Sequence, residues 1–161
     1  MTEREMFMQL WEREFQTTLK VMKAYPADRL DVKPSDKLRT ARDLMWVFSG
    51  ENGILQMALT GPIIFGEPPP APNTLDELCG AFEASHNGLR EMLSGMSDED
   101  LAVTVQFPVG KGVMGNFRRQ DIGWITVYDQ IHHRGQLSVY LRIADGKLPS
   151  IYGPTADEPW N

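Results

Sequence analysis

The sequence predicts an all-α protein: an antiparallel four-helix bundle with a small hairpin before the last helix and an extended C-terminal tail. Four segments of roughly 20 to 27 residues carry apolar side chains at the three- and four-residue spacing of amphipathic helices. Short polar or proline-containing stretches separate these segments. The chain of 161 residues is long enough to bury one hydrophobic core, so we expect a single domain over residues 1–161.

The first two helices have recognisable ends. Helix one is expected over residues 3–25, and Pro26 ends it because proline lacks the amide hydrogen that a helix needs. Helix two begins at Thr40, the first residue of a capping box in which aspartate takes the usual place of glutamate. It runs to about Thr60, where Gly61 and a proline stop it.

A proline-rich connection leads to the third helix and the hairpin. Four prolines within residues 66–73 predict an extended segment. Thr74 begins a capping box for the third helix, and Gly95 ends that helix. Residues 97–118 start with a short helical turn and continue with β-branched residues and glycines, which predicts a hairpin with the sequence GKG at its tip.

The last helix is expected to be the longest. It is predicted over residues 119–145, with Gly146 as its C-terminal glycine. The residues that follow contain isolated apolar side chains among prolines. We expect this tail to pack along the bundle without regular structure.

Charge and composition exclude several classes of protein. The chain has 22 acidic and 16 basic residues and a net charge of -6, which argues against nucleic-acid binding because phosphates need a basic surface. No apolar run reaches the roughly 18 residues that span a bilayer, and charged residues stand where a signal peptide would be apolar. We therefore expect a cytoplasmic protein without membrane association. The single cysteine, Cys79, excludes an internal disulfide and a thiolate-rich metal site.

Polar side chains interrupt the apolar stripe of the last helix. In the stretch YDQIHHRGQLSVYLR, residues 128–142, an aspartate and two histidines stand where leucine and valine are expected. The positions that share this face step by three or four residues: Ile122, Ile125, Asp129, His132 or His133, Gln136, Tyr140 and Ala144.

Helix two has the same irregularity. Its inward stripe consists of Leu44, Val47, Phe48, Glu51, Leu55 and Ala58. Glu51 is the only charged member, so two helices direct the carboxylates of Glu51 and Asp129 to one interior. Burial of an unpartnered carboxylate costs several kcal/mol, and both groups therefore need compensation.

A divalent metal ion would supply that compensation. Asp129 and His133, at positions i and i+4, can reach one ion from the same helix, and Glu51 can approach from the facing helix. Such a nitrogen and oxygen site suits Zn, Ni, Fe or Mn, and three protein ligands leave positions for water or substrate. The alternative needs no metal: Asp129 accepts a hydrogen bond from His133. In that case Glu51 pairs with Arg134 or Arg42.

The other histidines have different expected places. His132 points roughly 100° away from His133, because successive residues of a helix are rotated by that angle. It is the candidate for assisting proton transfer at the site. His86 lies on the third helix and is expected to be a packing residue, not a ligand.

Three segments resemble one family. DQIHHRGQLSVYLR resembles the last-helix signature of the DinB-like family of bacterial four-helix proteins, also called the DinB/YfiT-like metalloenzyme superfamily. TARDLMWVFSGE is similar to the family's second helix, and DGKLPSIYGPTADEPW is similar to the tail of one subgroup. The resemblance implies a divalent metal held by one histidine from helix two and two histidines spaced i,i+4 on the last helix. It also implies a homodimer and chemistry of the low-molecular-weight thiol-transfer or thiol-dependent isomerisation type.

The chain departs from this pattern at two of the three ligands. His133 matches the second histidine of the last helix, but Asp129 stands at the first. Val47 stands at the helix-two histidine, and Glu51 lies about one turn further on. We therefore expect a homodimeric, metal-dependent enzyme that acts on a small molecule, a hydrolase or thiol transferase with Glu51, Asp129 and His133 as ligands. The alternative is a metal-free binding or structural module in which a hydrogen-bonded polar core fixes helix register.

Overall fold

Four long helices make up most of the molecule. A computed structural model describes residues 1–160. Its elements are α1 (Glu3–Lys23), a 3-10 turn (Ala27–Arg29), α2 (Ala41–Thr60), α3 (Leu75–Ser94), the short α4 (Asp98–Ala102), β1 (Thr104–Gly110), β2 (Val113–Arg118) and α5 (Arg119–Ile143). The structure confirms a mostly helical fold with a small hairpin before the last helix. The antiparallel arrangement of the four helices stays a prediction.

Side-chain caps explain where the helices begin. The threonine hydroxyls of Thr2 and Thr74, before α1 and α3, each accept a hydrogen bond from the amide three residues later, and a glutamate at that position reaches back to the cap. At Thr40 the hydroxyl accepts from the amide of Asp43. The carboxylate of Asp43 meets the Thr40 hydroxyl at 2.7 Å instead of the cap amide. The box at Thr40 is therefore incomplete.

The hairpin has the predicted tip. β1 and β2 pair in antiparallel register, from Thr104 opposite Arg118 to Gly110 opposite Val113. Between the strands, Gly112 has φ 71°, a left-handed conformation that glycine adopts without steric cost. The GKG sequence therefore forms the turn, as predicted.

The end of α5 differs from the prediction for Gly146. The residue with positive φ is Asp145, at 60°, and the helix ends at Ile143. The amide of Gly146 donates to the carbonyl of Leu141, which closes the C-terminal turn. A Cβ atom on Gly146 would lie 3.1 Å from Pro26 and would overlap Leu141. Glycine is therefore needed here for close packing, not for backbone conformation.

The core consists of two apolar clusters of buried side chains. The helices that supply them pack so that α1 and α2 each contact both α3 and α5. On α2, Phe48 belongs to one cluster and Leu55 to the other. On α5, Val127 belongs to the second cluster and Leu137 to the first. The polar positions on both helices thus lie between the two apolar clusters.

The C-terminal tail packs along the helices without regular structure, as predicted. Asp157 accepts a hydrogen bond from the amide of Leu148 and pairs with Arg142. Glu158 accepts from the amide of Ser150 at 2.7 Å and pairs with Lys20 of α1 at 3.0 Å. Within residues 1–160, none of the helices has the length and apolar character needed to cross a membrane.

Candidate metal centre

The inward face of α5 is rotated from the predicted one. Its buried polar residues are Gln120, Thr126, Gln130 and Arg134. The side chain of Asp129 is 53% exposed, and Gln136 is exposed as well. The prediction that these two residues point inward was wrong. Apolar residues occur on the outer side of α5 too, so the three- and four-residue spacing did not define a single stripe.

Glu51, Asp129 and His133 nevertheless come together. The Nδ1 atom of His133 lies 2.7 Å from Oε1 of Glu51, in hydrogen-bonding distance across α2 and α5. The same Nδ1 atom lies 3.7 Å from Oδ1 of Asp129, one turn earlier on α5. One ligand atom from each residue can be chosen so that all three lie within 4.8 Å of one another. Glu51 is buried, His133 half-buried and Asp129 exposed, so the cluster extends from the interior to the surface.

Burial dominates the electrostatics of this cluster. It raises the pKa of Glu51 to about 7, although the hydrogen bond and charge of His133 act in the opposite direction. The hydrogen bond to Glu51 raises the pKa of His133, and burial only partly opposes that shift. Oε2 of Glu51 is buried and has no hydrogen-bond partner among residues 1–160. One carboxylate oxygen therefore remains without a hydrogen bond in a low-dielectric environment.

A hydrogen-bond chain holds the helices together beside the cluster. The side chain of Gln130 donates to Oδ1 of Asn52 at 2.9 Å, and Asn52 donates to the hydroxyl of Ser85 at 2.9 Å. Ser85 in turn donates to the carbonyl of Phe82. These neutral groups link α5, α2 and α3, which fixes the positions of Glu51 and His133 on neighbouring turns.

The metal-free alternative predicted other partners. Arg134 does not pair with Glu51 but with Glu14, at 2.7 Å. Arg42 lies near Asp31, at 3.7 Å. The expected hydrogen bond from His133 to Asp129 goes to Glu51 instead. Both predicted pairings of Glu51 were therefore wrong, and within residues 1–160 its hydrogen-bond partner is His133.

The remaining histidines lie outside the cluster. His132 is exposed, and its Nε2 atom lies 2.9 Å from the side-chain nitrogen Nε2 of Gln136. The ring centroids of His132 and His133 are 5.3 Å apart. His86 is 1% exposed and stacks on Phe15 with ring centroids 3.6 Å apart. Its Nε2 lies 2.9 Å from Glu12. The prediction that His86 is a packing residue is confirmed, and the role of His132 in proton transfer stays a prediction.

A second buried charge cluster was not predicted. Arg134 donates to Glu14, and the Tyr152 hydroxyl of the tail donates to the same carboxylate at 2.6 Å while it accepts from Arg134. Burial raises the pKa of Glu14, but hydrogen bonds from Tyr152 and Arg134 outweigh it and lower the pKa overall. The sequence signal was a glutamate at a helix-one position between Trp11 and Phe15, two members of the apolar stripe.

Comparison with known proteins agrees with the helical arrangement. Residues 10–137 match the sequence profile of the family described as the DinB superfamily. The chain belongs to the DinB superfamily. A curated relative is the uncharacterized protein YrdA of Bacillus subtilis (strain 168), which is 23% identical over 157 residues, 94% of this chain and 89% of the relative.

Solved structures of DinB-like proteins share the fold. A crystal structure of a DinB-like protein from Bacillus cereus ATCC 10987 superposes with a TM-score of 0.76, at 24% identity, over 92% of this chain and 97% of that one. A DinB-like protein, YjoA, from Bacillus subtilis gives a TM-score of 0.71 at 15% identity, over 91% and 97% of the two chains. At these identities the similarity shows the fold alone.

The structure also shows the positions at which this chain departs from the ligand pattern that the resemblance predicts. Val47, near which the resemblance predicts a ligand histidine, lies half-buried on α2, and its apolar side chain offers no ligand atom. Glu51, one turn later, does reach the cluster on α5. The three groups that meet here are two carboxylates and one imidazole, a set of donors that suits divalent transition metals.

Proposed function

We propose that this DinB superfamily protein is a metal-dependent enzyme that acts on a small molecule, with hydrolase or thiol-transferase chemistry. The observation that carries the proposal is the buried, unpartnered Oε2 atom of Glu51. It belongs to a carboxylate that lies within 4.8 Å of ligand atoms from Asp129 and His133. A cation bound to these groups would compensate the buried charge, which no side chain of residues 1–160 does fully.

The spacing of the donors suits one ion. Two atoms that each lie about 2.2 Å from the same ion can be at most about 4.4 Å apart. Ligand atoms that lie within 4.8 Å of one another therefore need to move by less than about 1 Å. The nitrogen and carboxylate donors favour Zn, Ni, Fe or Mn, and the exposed position of Asp129 leaves one side of the cluster open to solvent.

The chain's own groups supply binding and proton transfer. A divalent cation supplies Lewis acidity that polarises a substrate oxygen or activates a water or thiol. In the metal-free protein Glu51 and His133 share a proton at 2.7 Å, and metal binding would release it because ligand atoms bind deprotonated. His132, with its ring 5.3 Å from that of His133, is the proposed group that assists proton transfer.

The alternative is a metal-free binding or structural module. The observation in its favour is the short contact between His133 and Glu51, which partly compensates the carboxylate when the imidazole is protonated. The chain of hydrogen bonds through Gln130 and Asn52 also fits a role in fixing helix register. Metal uptake separates the two proposals.

We also propose that the protein forms a homodimer through the outer face of α5. The residues on this face are Ile125, Tyr128, His132, Gly135, Val139 and Ile143. Tyr128 is 62% exposed, Val139 58% and Ile143 46%. If a second copy packs antiparallel about a two-fold axis, Tyr128 lies opposite Val139 and His132 lies opposite Gly135, which leaves space for the ring. The face is thus complementary to itself.

The dimer has a direct test. Val139→Asp should shift the protein toward an 18.2 kDa monomer in analytical ultracentrifugation at micromolar concentration. Val109→Asp changes an equally exposed valine on the hairpin and should leave the association unchanged. A wild type that is monomeric at these concentrations would contradict the dimer.

Metal uptake tests the enzyme proposal. Chelator-treated protein should bind one divalent ion per chain in calorimetric titrations with Zn²⁺, Ni²⁺ or Mn²⁺, confirmed by elemental analysis. Glu51→Gln should weaken binding by at least about tenfold, because substitutions even outside the first ligand shell have effects of this size. Glu99→Gln is the matched control, since it removes the same charge from an exposed position on α4. A wild type that takes up no ion, or an equal affinity in Glu51→Gln, would contradict the metal site.

The remaining expectations stay predictions. A cytoplasmic location and a small-molecule substrate follow from the sequence. The net charge of -6 continues to argue against a nucleic-acid partner.

A further inference from the structure

Arg39 is fixed above the same face of α5 that carries His133. It lies in the connection just before α2, and its carbonyl accepts a hydrogen bond from the hydroxyl of Tyr140 at 3.0 Å. Tyr140 follows His133 by seven residues, about two helical turns, so the two residues project from the same side of α5. The backbone of Arg39 is therefore anchored about 10 Å along the helix from His133.

The guanidinium of Arg39 has no acidic partner in the part of the chain that the structure describes. Arg39 is exposed, and its side chain takes part in no ion pair or hydrogen bond among residues 1–160. Arg42, three residues later, lies 3.7 Å from Asp31 and donates to Asn73 at 3.0 Å. Two neighbouring arginines thus differ, because one is held by partners and the other is free to bind a ligand.

The free guanidinium is within reach of the metal cluster. The backbone of Arg39 is anchored about two turns of α5 from His133, on the same side of that helix. The long side chain of an arginine can extend over that distance toward the cluster. A guanidinium with no carboxylate bound to its planar donors is suited to an oxyanion, which such groups bind in bidentate geometry.

We propose that the substrate is a small molecule with an oxyanion, a carboxylate or a phosphate, which Arg39 binds while the reacting group lies at Glu51, Asp129 and His133. This inference rests on the proposed metal-dependent function. Arg39 is a binding residue in this scheme. It would orient the substrate at the cluster, and it would offset the repulsion between an anionic substrate and the two carboxylates.

The inference is tested by ligand titration of cobalt-loaded protein. Acetate and methyl phosphate represent the two oxyanions, and acetamide is the uncharged analogue of acetate. Binding is followed through the visible absorption of Co²⁺, which reports ligands at the metal cluster. The variant Arg39→Gln should raise the dissociation constant of at least one oxyanion by roughly tenfold, the effect of losing one charge-assisted contact. Acetamide should bind equally to both proteins.

Arg42→Gln is the matched control. It removes the same positive charge three residues away, on a side chain that Asp31 and Asn73 hold elsewhere. Its oxyanion affinity should stay within about twofold of the wild type, because screening at physiological salt reduces long-range effects. Arg39→Lys keeps the charge but loses the planar donors, and should give an intermediate affinity.

Each outcome has a distinct meaning. Normal Co²⁺ uptake with equal oxyanion affinity in wild type and Arg39→Gln overturns the role of Arg39 and leaves the metal site intact. An equal loss in Arg39→Gln and Arg42→Gln shows general electrostatics and also overturns it. If wild type takes up no Co²⁺, the proposed function and this inference fall together. The relative preference for acetate or methyl phosphate identifies the oxyanion.

Discussion

Two adjacent residues of α5, His133 and Arg134, each contact a buried glutamate, and the two glutamates have different environments. Arg134 contacts Glu14, which is 2% exposed, and His133 contacts Glu51, which is 5% exposed. Both oxygens of Glu14 have partners, because Arg13 lies 3.4 Å from one and Tyr152 shares the other with Arg134. Among residues 1–160, only one oxygen of Glu51 has a hydrogen-bond partner.

The pKa values follow this difference. Burial acts on both carboxylates in the same direction, but hydrogen bonds from Tyr152 and Arg134 reverse its effect on Glu14 and lower that pKa. The contacts of His133 do not reverse it for Glu51, whose pKa is raised to about 7. A permanently charged guanidinium compensates a carboxylate at all relevant pH values, whereas an imidazole does so only when protonated. We infer that the Glu14 cluster is structural and that the Glu51 cluster is kept incomplete for a ligand.

The largest expected effect is at the complete cluster. Arg134→Met should lower the free energy of unfolding by about 3–5 kcal/mol, because it leaves Glu14 buried without its cation. The double variant Glu14→Leu/Arg134→Met should recover most of that loss, since it removes both charges. Urea denaturation measures both. A single variant as stable as wild type would show that this cluster is not structural.

Metal binding should affect the incomplete cluster alone. An ion at 100 times its dissociation constant should stabilise wild type by about 2.7 kcal/mol, and chelator should remove the effect. Glu51→Gln should lose most of this response. Glu14→Gln should keep it, although that variant is less stable from the start. Thermal melts with and without Zn²⁺ measure the difference, and an equal response in both variants would contradict the distinction between the clusters.

The pH dependence of stability should have opposite signs at the two glutamates. In metal-free protein the raised pKa of Glu51 favours the folded state fully below its ordinary value of 4.5, and this contribution is lost as pH rises through about 7. His133 acts in the same direction at higher pH, because its pKa is raised above 6.5. Glu14 contributes stability above pH 4.5 that is lost as pH falls through its lowered pKa.

Urea denaturation from about pH 2.5 to pH 8.5 measures these contributions. Glu51→Gln should remove about 2 kcal/mol of the decline between pH 5 and pH 8, since one pKa unit corresponds to about 1.4 kcal/mol and the two groups share a proton. Glu14→Gln should instead reduce the loss in free energy of unfolding at acidic pH. Parallel curves for wild type and Glu51→Gln would show that Glu51 does not titrate as described.

The smallest effect is expected at the exposed histidine. His132→Ala should change the free energy of unfolding by less than about 0.5 kcal/mol, because His132 is exposed and contacts only Gln136 among polar groups of residues 1–160. Metal affinity should also stay close to wild type. Once a substrate is known, a loss of turnover without a loss of metal binding would support the proton relay, and an unchanged pH–rate profile would contradict it.

Local structure could be predicted because it depends on neighbouring residues. Capping threonines, prolines and glycines defined the helix ends within a few residues, and the GKG turn followed from the conformational freedom of glycine. The same local information identified Glu51 as the charged residue on an apolar stripe. Gly146 closes the last turn of α5, but the residue with the left-handed conformation is Asp145, and Gly146 lacks a side chain because Leu141 and Pro26 pack against it.

The partners of the buried charges depended on the tertiary structure. The rotation of α5 about its axis decides that Arg134 points to Glu14 and that Asp129 remains at the surface, and periodicity alone does not fix that rotation when a helix has apolar residues on both sides. The hydroxyl of Tyr152 reaches Glu14 across 138 positions of sequence. The sequence by itself therefore determined the helical class and the residue types available for a site. Only packing decided which carboxylate was neutralised and which kept an oxygen without a hydrogen bond, because hydrogen bonds and ion pairs act over a few ångströms between residues far apart in the chain.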